Sequence, residues 1–115
     1  MALIGEVRGK NVLLIDDLTE TAGTLTKGAD LLKKKGAKRI IAVVSHAILN
    51  DTGIERLRKS MIDELITTDT VLRPAISRVK ITTLSVAGLL GEAIKRINSN
   101  SSVTSLFEFK GGRTS

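Results

Sequence analysis

Asp16 and Asp17 close an apolar run, Val12-Leu13-Leu14-Ile15, and Thr21-Ala22-Gly23-Thr24 follows almost at once. Adjacent carboxylates accept hydrogen bonds from neighbouring hydroxyls, or hold a magnesium ion through oxygen. Two hydroxyl side chains, a glycine and the first N–H groups of a helix make a cradle for an anion. Together these groups suit a hydroxylated ligand that carries a phosphate. Read singly, the acids would be polar caps on a strand end, and Glu20, Thr21 and Thr24 would be ordinary helix-capping residues. Their order along the chain favours the anion cradle, because it places acids and bare N–H groups at the carboxyl edge of a strand. Ligands of open α/β sheets bind at that edge.

The elements that must position these groups follow from hydrophobic spacing. Val12 to Ile15 is continuous apolar sequence, as expected of a strand covered on both faces. Leu25, Ala29, Leu31 and Leu32 recur at helical spacing within Thr21 to Lys35, and Gly36 stops that helix. Arg39 to Ser45 reads as a second buried strand, and Ile54 to Ser60 as a short helix after Gly53. Glu64 to Thr68 is a third strand. A loop containing Pro74, the only proline, leads to a fourth strand over Val79 to Leu84. Ser85 is placed to cap a helix over Val86 to Ile97. A polar hinge, Asn98 to Ser102, precedes a tail ending in Gly111-Gly112-Arg113. Strand and helix alternate with short links, which predicts an α/β fold with a parallel sheet and right-handed crossovers.

The chain has 115 residues, 42% hydrophobic and 26% charged, which is the composition of one small globular domain or a piece of a larger one. Its core must be aliphatic, since Phe107 and Phe109 are the only aromatic residues. The absence of cysteine excludes disulfides and thiolate metal sites. No apolar run approaches the ~18 residues of a membrane span, and the N-terminus lacks a signal peptide's apolar core, so a cytoplasmic protein without membrane contact is expected. The formal charge of +6 is compatible with attraction of phosphorylated metabolites. It does not point to nucleic acid, because the cations are scattered and no aromatics interleave with them to stack bases. The densest run, Lys33-Lys34-Lys35, falls where it complements a helix dipole. Gly5-Glu-Val-Arg-Gly9-Lys10-Asn11 is no P-loop: its glycines are one residue too close, Asn11 replaces the needed hydroxyl, and a strand follows.

The run Ile15-Asp16-Asp17-Leu18-Thr19-Glu20-Thr21-Ala22-Gly23-Thr24 resembles the phosphoribosyl-pyrophosphate motif shared by many phosphoribosyltransferases. Gly36-Ala37-Lys38-Arg39, Ser45-His46, Asp63 to Thr70 and Ser102 to Phe107 narrow the likeness. Taken together they are similar to ribose-phosphate pyrophosphokinase, also called phosphoribosyl-pyrophosphate synthetase, from about Leu3 to Phe107. The resemblance implies a Rossmann-like parallel sheet of the type I phosphoribosyltransferase fold, present as a partial domain. Residues 1–109 would be its C-terminal part and 110–115 a flexible tail. It implies transfer of the diphosphoryl group of ATP to ribose 5-phosphate with Mg2+, in an oligomer of related subunits. Asp16 and Asp17 would hold the ribose hydroxyls and magnesium-bound water, and Glu20, Thr21, Ala22, Gly23 and Thr24 would cradle the 5-phosphate. The family usually has Asp where this chain has Glu20, whose longer carboxylate is expected to turn outward. Ser102, Thr104 and Ser105 match a segment that helps bind a regulatory phosphate or nucleotide between subunits. The likeness reaches only the family's final third, so this chain is expected to hold the ribose 5-phosphate half-site with no catalytic residue of its own, and to be inactive alone.

Two rivals share that scaffold, a non-catalytic regulatory or assembly relative and a base-specific phosphoribosyltransferase. The intact acids and loop speak against the first, and the segments around Asp63 to Thr70 and Ser102 to Phe107 against the second. His46, the only histidine, reads as a packed, tautomer-fixed residue at the same sheet edge. Arg56, Arg58, Arg73 and Arg78 read as solvated or interfacial charges.

Overall fold

The computed structural model describes residues 1–72 and 75–108. Contacts gather into two compact units, Met1–Leu84 and Ser85–Ser115. Arg73 and Pro74, and the tail from Phe109 to Ser115, lie outside the described residues.

The first unit is a four-stranded parallel sheet in the order β1-β2-β3-β4, with β1 Asn11–Thr19, β2 Arg39–Ala47, β3 Glu64–Thr68 and β4 Ile81–Leu84. Helix α1, Gly23–Lys34, crosses from β1 to β2, and α2, Asp51–Lys59, from β2 to β3. Each crossover steps the sheet in the same direction. Right-handed crossovers that never reverse deposit their helices on one face, and the packing agrees. Leu25 of α1 and Leu57 of α2 share one buried cluster with Ala42, Val44 and Leu65, while Ala29 and Leu32 of α1 meet Ile40 and Ala37 in a second. Ile40, Ala42 and Leu65 are wholly inaccessible.

The expectation that β1 is covered on both faces is therefore corrected. Leu14 packs toward the helices, but Leu13 and Ile15, on the other side of the pleat, are 58% and 77% exposed. A continuous apolar run reports two faces able to be buried, and here α1 and α2 cover one. The expected boundary of β1 also moves. The strand continues past Ile15 to Thr19, because Asp16, Leu18 and Thr19 pair with Val44, His46 and Ala47 of β2.

Helix α1 buries Leu25, Gly28, Ala29 and Leu32, one stripe at helical spacing. It ends as expected at Gly36, whose φ of +92° is left-handed and lets Ala37 N–H reach back to Leu32 O at 3.0 Å. Helix α2 starts earlier than the sequence spacing predicts, since Asn50 caps it by accepting from Gly53 N–H at 2.8 Å. At the opposite end of the sheet Glu64, nearly buried, accepts from Thr82 Oγ1 at 2.6 Å and pairs with Arg39 at 3.0 Å and Lys80 at 3.6 Å. These partners, led by the Thr82 hydroxyl, hold its carboxyl below the usual glutamate range.

In the second unit α3, Ala87–Asn98, follows Ser85, whose Oγ accepts from Ala87 N–H at 3.3 Å. Its helical residues include none that are buried, and a short 3-10 turn, Thr104–Phe107, follows it. No helix among the described residues is long and apolar enough to cross a membrane.

Candidate functional site

The loop between β1 and α1 is built from behind. Thr19 O accepts from Ile48 N–H at 2.9 Å, Glu20 O from Asn50 N–H at 3.1 Å, and Thr21 O from Arg56 Nη1 at 3.1 Å. Three successive carbonyls thus turn toward the β2–α2 connection. In a planar trans peptide the N–H points opposite to the C=O, and no peptide bond here is cis. The N–H groups of Glu20, Thr21 and Ala22 are accordingly turned the other way, away from those partners. The first N–H groups of α1 have no partner within their helix, and its cap residue Ala22 offers them no side-chain hydrogen bond. The loop and the helix start together present a run of donors with the positive end of a helix dipole behind them.

Two residues make this turn possible, and sequence reading missed the role of each. Ala22 adopts φ 56°, ψ 18°, the left-handed region, where glycine is the usual occupant. The residue is 3% exposed and packs with Leu25 and Ala47, so core burial offsets the conformational strain. Gly53 is buried in α2 against the loop, and a Cβ there would collide with Glu20 O. The expected glycine, Gly23, carries no positive φ; a Cβ at that position would lie 3.1 Å from Arg56 Nη1.

The acids stand beside the cradle on the strand itself. Asp16 and Asp17 are both exposed and lie within β1 rather than past its end. Successive strand residues leave the sheet on opposite faces, so the two carboxylates point to different sides of it. Asp16 Oδ1 accepts from Asp17 N–H at 2.8 Å, which satisfies one backbone donor of an edge strand. Glu20, Thr21 and Thr24 are exposed at the loop. Among the described residues no three His, Asp or Glu side chains converge as a metal cage. Two exposed carboxylates are nevertheless an oxygen donor set of the kind magnesium accepts, since that ion keeps several waters and takes one or two carboxylates plus phosphate.

Along the same edge, His46 Nδ1 lies 2.6 Å from Thr70 Oγ1, and Thr68 Oγ1 donates to Ser45 O at 2.6 Å. His46 is half-buried and hydrogen-bonded, as its sequence context suggests. Arg58 bonds Ser77 O at 3.3 Å and Glu55 at 3.5 Å. Arg56 is exposed, as its expected reading as a solvated charge has it, and it also bonds the loop. In the second unit Ser102, Thr104 and Ser105 are exposed and engaged locally. Ser102 Oγ donates to Thr104 Oγ1 at 3.1 Å, and Arg96 Nη1 donates to Ser105 Oγ at 2.6 Å.

Comparison with known proteins bears on the family and the fold. Residues 1–108 match the family described as phosphoribosyl synthetase-associated domain. A ribose-phosphate pyrophosphokinase of Porphyromonas gingivalis is 47% identical over 110 residues, which is 95% of this chain and 34% of that protein. That of Helicobacter hepaticus is 48% identical over 108 residues, 93% of this chain and 34% of its own length. The crystal structure of phosphoribosylpyrophosphate synthetase from Mycobacterium smegmatis superposes with a TM-score of 0.79 at 34% identity, over 85% of this chain and 33% of that one. The chain thus spans about a third of the length of the relatives it matches. These matches give a share of length and no position along it, so the expected C-terminal placement is not borne out by them.

Proposed function

The chain belongs to the phosphoribosyl synthetase-associated domain family, and from that premise we propose that it supplies the ribose 5-phosphate half-site of a ribose-phosphate diphosphokinase. The reaction moves the diphosphoryl group of ATP to the anomeric hydroxyl of ribose 5-phosphate. One observation carries the reading: three consecutive carbonyls are bonded from behind, so the N–H groups of the loop face away from those partners, next to two exposed carboxylates. The Glu20 to Thr24 segment receives the 5-phosphate, and Thr21 and Thr24 add hydroxyl donors. Asp16 and Asp17 accept hydrogen bonds from the ribose hydroxyls and orient the ring. The same two acids would hold Mg2+ through its water shell, and the ion, when bound, would neutralise phosphate charge. None of these residues exchanges a covalent bond with substrate. Their work is positioning and charge compensation, which dominate phosphoryl transfer. ATP and related subunits are the partners this reading implies, in the cytoplasm, and the chain alone does not turn over.

Titration calorimetry on the 115-residue chain tests the half-site. Ribose 5-phosphate and inorganic phosphate should both bind, the sugar phosphate more tightly, and Asp17→Asn should erase that difference while leaving inorganic phosphate unaffected. A wild-type chain that binds neither ligand would end the reading.

A further inference from the structure

We infer that Arg56 is a positioning residue for the anion cradle, acting on the phosphate through the Thr21–Ala22 peptide. The inference rests on the reading of that loop as a phosphate site. Arg56 sits in the second turn of α2, and its Nη1 donates to Thr21 O at 3.1 Å. The same nitrogen lies 3.1 Å from where a Cβ on Gly23 would stand, so the guanidinium sits close against the start of α1.

The guanidinium works from the carbonyl side of the loop, opposite the N–H donors. On that side a cavity of about 560 Å³ opens between α1 and α2, lined by Arg56 with Thr26, Asp30, Asp51, Glu55 and Lys59. Glu55, the acid next to Arg56 in sequence, is already paired with Lys59 at 3.3 Å and Arg58 at 3.5 Å.

Two physical effects follow. Fixing Thr21 C=O toward Arg56 fixes Ala22 N–H away from it, because the peptide is planar. Donation to the carbonyl also polarises that peptide and strengthens its N–H as a donor. The carbonyls of Thr19 and Glu20 are held by backbone N–H groups, which any sequence could provide. Thr21 is held by a side chain, so this third support is the one a single substitution removes.

The test uses the 115-residue chain with ribose 5-phosphate and inorganic phosphate as probes. Arg56→Ala should weaken both ligands alike, by roughly tenfold, the size of one lost charge-assisted hydrogen bond. Its melting midpoint should stay within about 2 °C of wild type, since an exposed side chain adds little to stability. Arg56→Lys should recover part of the affinity. In amide spectra, phosphate should shift the Ala22 N–H strongly in wild type and weakly in Arg56→Ala. Unchanged phosphate affinity in Arg56→Ala overturns the role, as does a loss of affinity that only tracks a fall in melting temperature. If wild type binds neither probe, the cradle itself fails and this role with it. If wild type binds and the variants bind equally, only the role fails.

Discussion

Gly53→Ala offers a sharp test of how the loop is supported. In an open helix the change adds about 0.5–1 kcal/mol of stability, because alanine has less backbone entropy to lose. Position 53 has an ordinary helical φ, so no conformational penalty opposes the change. The obstacle is steric. The new methyl would overlap Glu20 O and lie 3.2 Å from both Glu20 C and Leu49 Cδ2. The nearest of these atoms is backbone, so relief requires α2 or the Glu20 peptide to move. Either motion strains the Asn50 N–H to Glu20 O bond of 3.1 Å and the cap from Asn50 Oδ1 to Gly53 N–H. Overpacking of this kind costs about 1–3 kcal/mol. Taking a middle value and subtracting the helical gain leaves a net loss of about 1–2 kcal/mol, or a fall of about 5 °C in midpoint for a domain of this size. Thermal unfolding by circular dichroism measures it, with Gly91→Ala as the control. That glycine lies in α3 with nothing within 4 Å of its would-be Cβ, and its replacement should raise helical signal. Phosphate affinity should drop in the Gly53 variant because the Glu20 peptide has shifted. A Gly53→Ala protein that melts at or above wild type would refute the reasoning.

Two further outcomes follow from the packing and the charges. Ala22→Val should destabilise the chain by about 2–4 kcal/mol, since a β-branched residue in the left-handed region is a strong outlier and the site is fully packed. Ala22→Gly should be near neutral, with relief of strain offset by the lost methyl burial and a freer unfolded chain; urea titration of the two variants checks the contrast. The Glu64 carboxyl is held below its unfolded value, so its ionised form adds stability above the ordinary glutamate range. That stability is withdrawn as pH falls through the lowered value. Urea midpoints at about pH 7 and about pH 3 should therefore differ less in Glu64→Gln than in wild type, and equal pH sensitivity in the two proteins would contradict the assignment.

The parts of the fold legible in sequence are those where local pattern and tertiary packing agree. The stripe Leu25, Ala29, Leu32, the stop at Gly36 and the alternation of strands with helices are of this kind. The misread boundaries share one cause, a partner distant in sequence. Asp16 to Thr19 look like a loop, yet Val44, His46 and Ala47 hold them in the sheet. Gly53 looks like a helix breaker, but its missing side chain is what lets α2 abut Glu20. At the site, the acids and small residues were visible as chemistry. The left-handed Ala22 was not, because nothing local demands that conformation there. Arg56 was not visible either, since its target lies 35 residues earlier.

The sheet that steps always one way has a bearing on how any ligand is kept. A crevice with two walls forms where neighbouring connections leave a sheet in opposite directions, and the order β1-β2-β3-β4 contains no such reversal. Among the described residues, the loop after β1 is therefore backed on one side, by the connection after β2 and by α2.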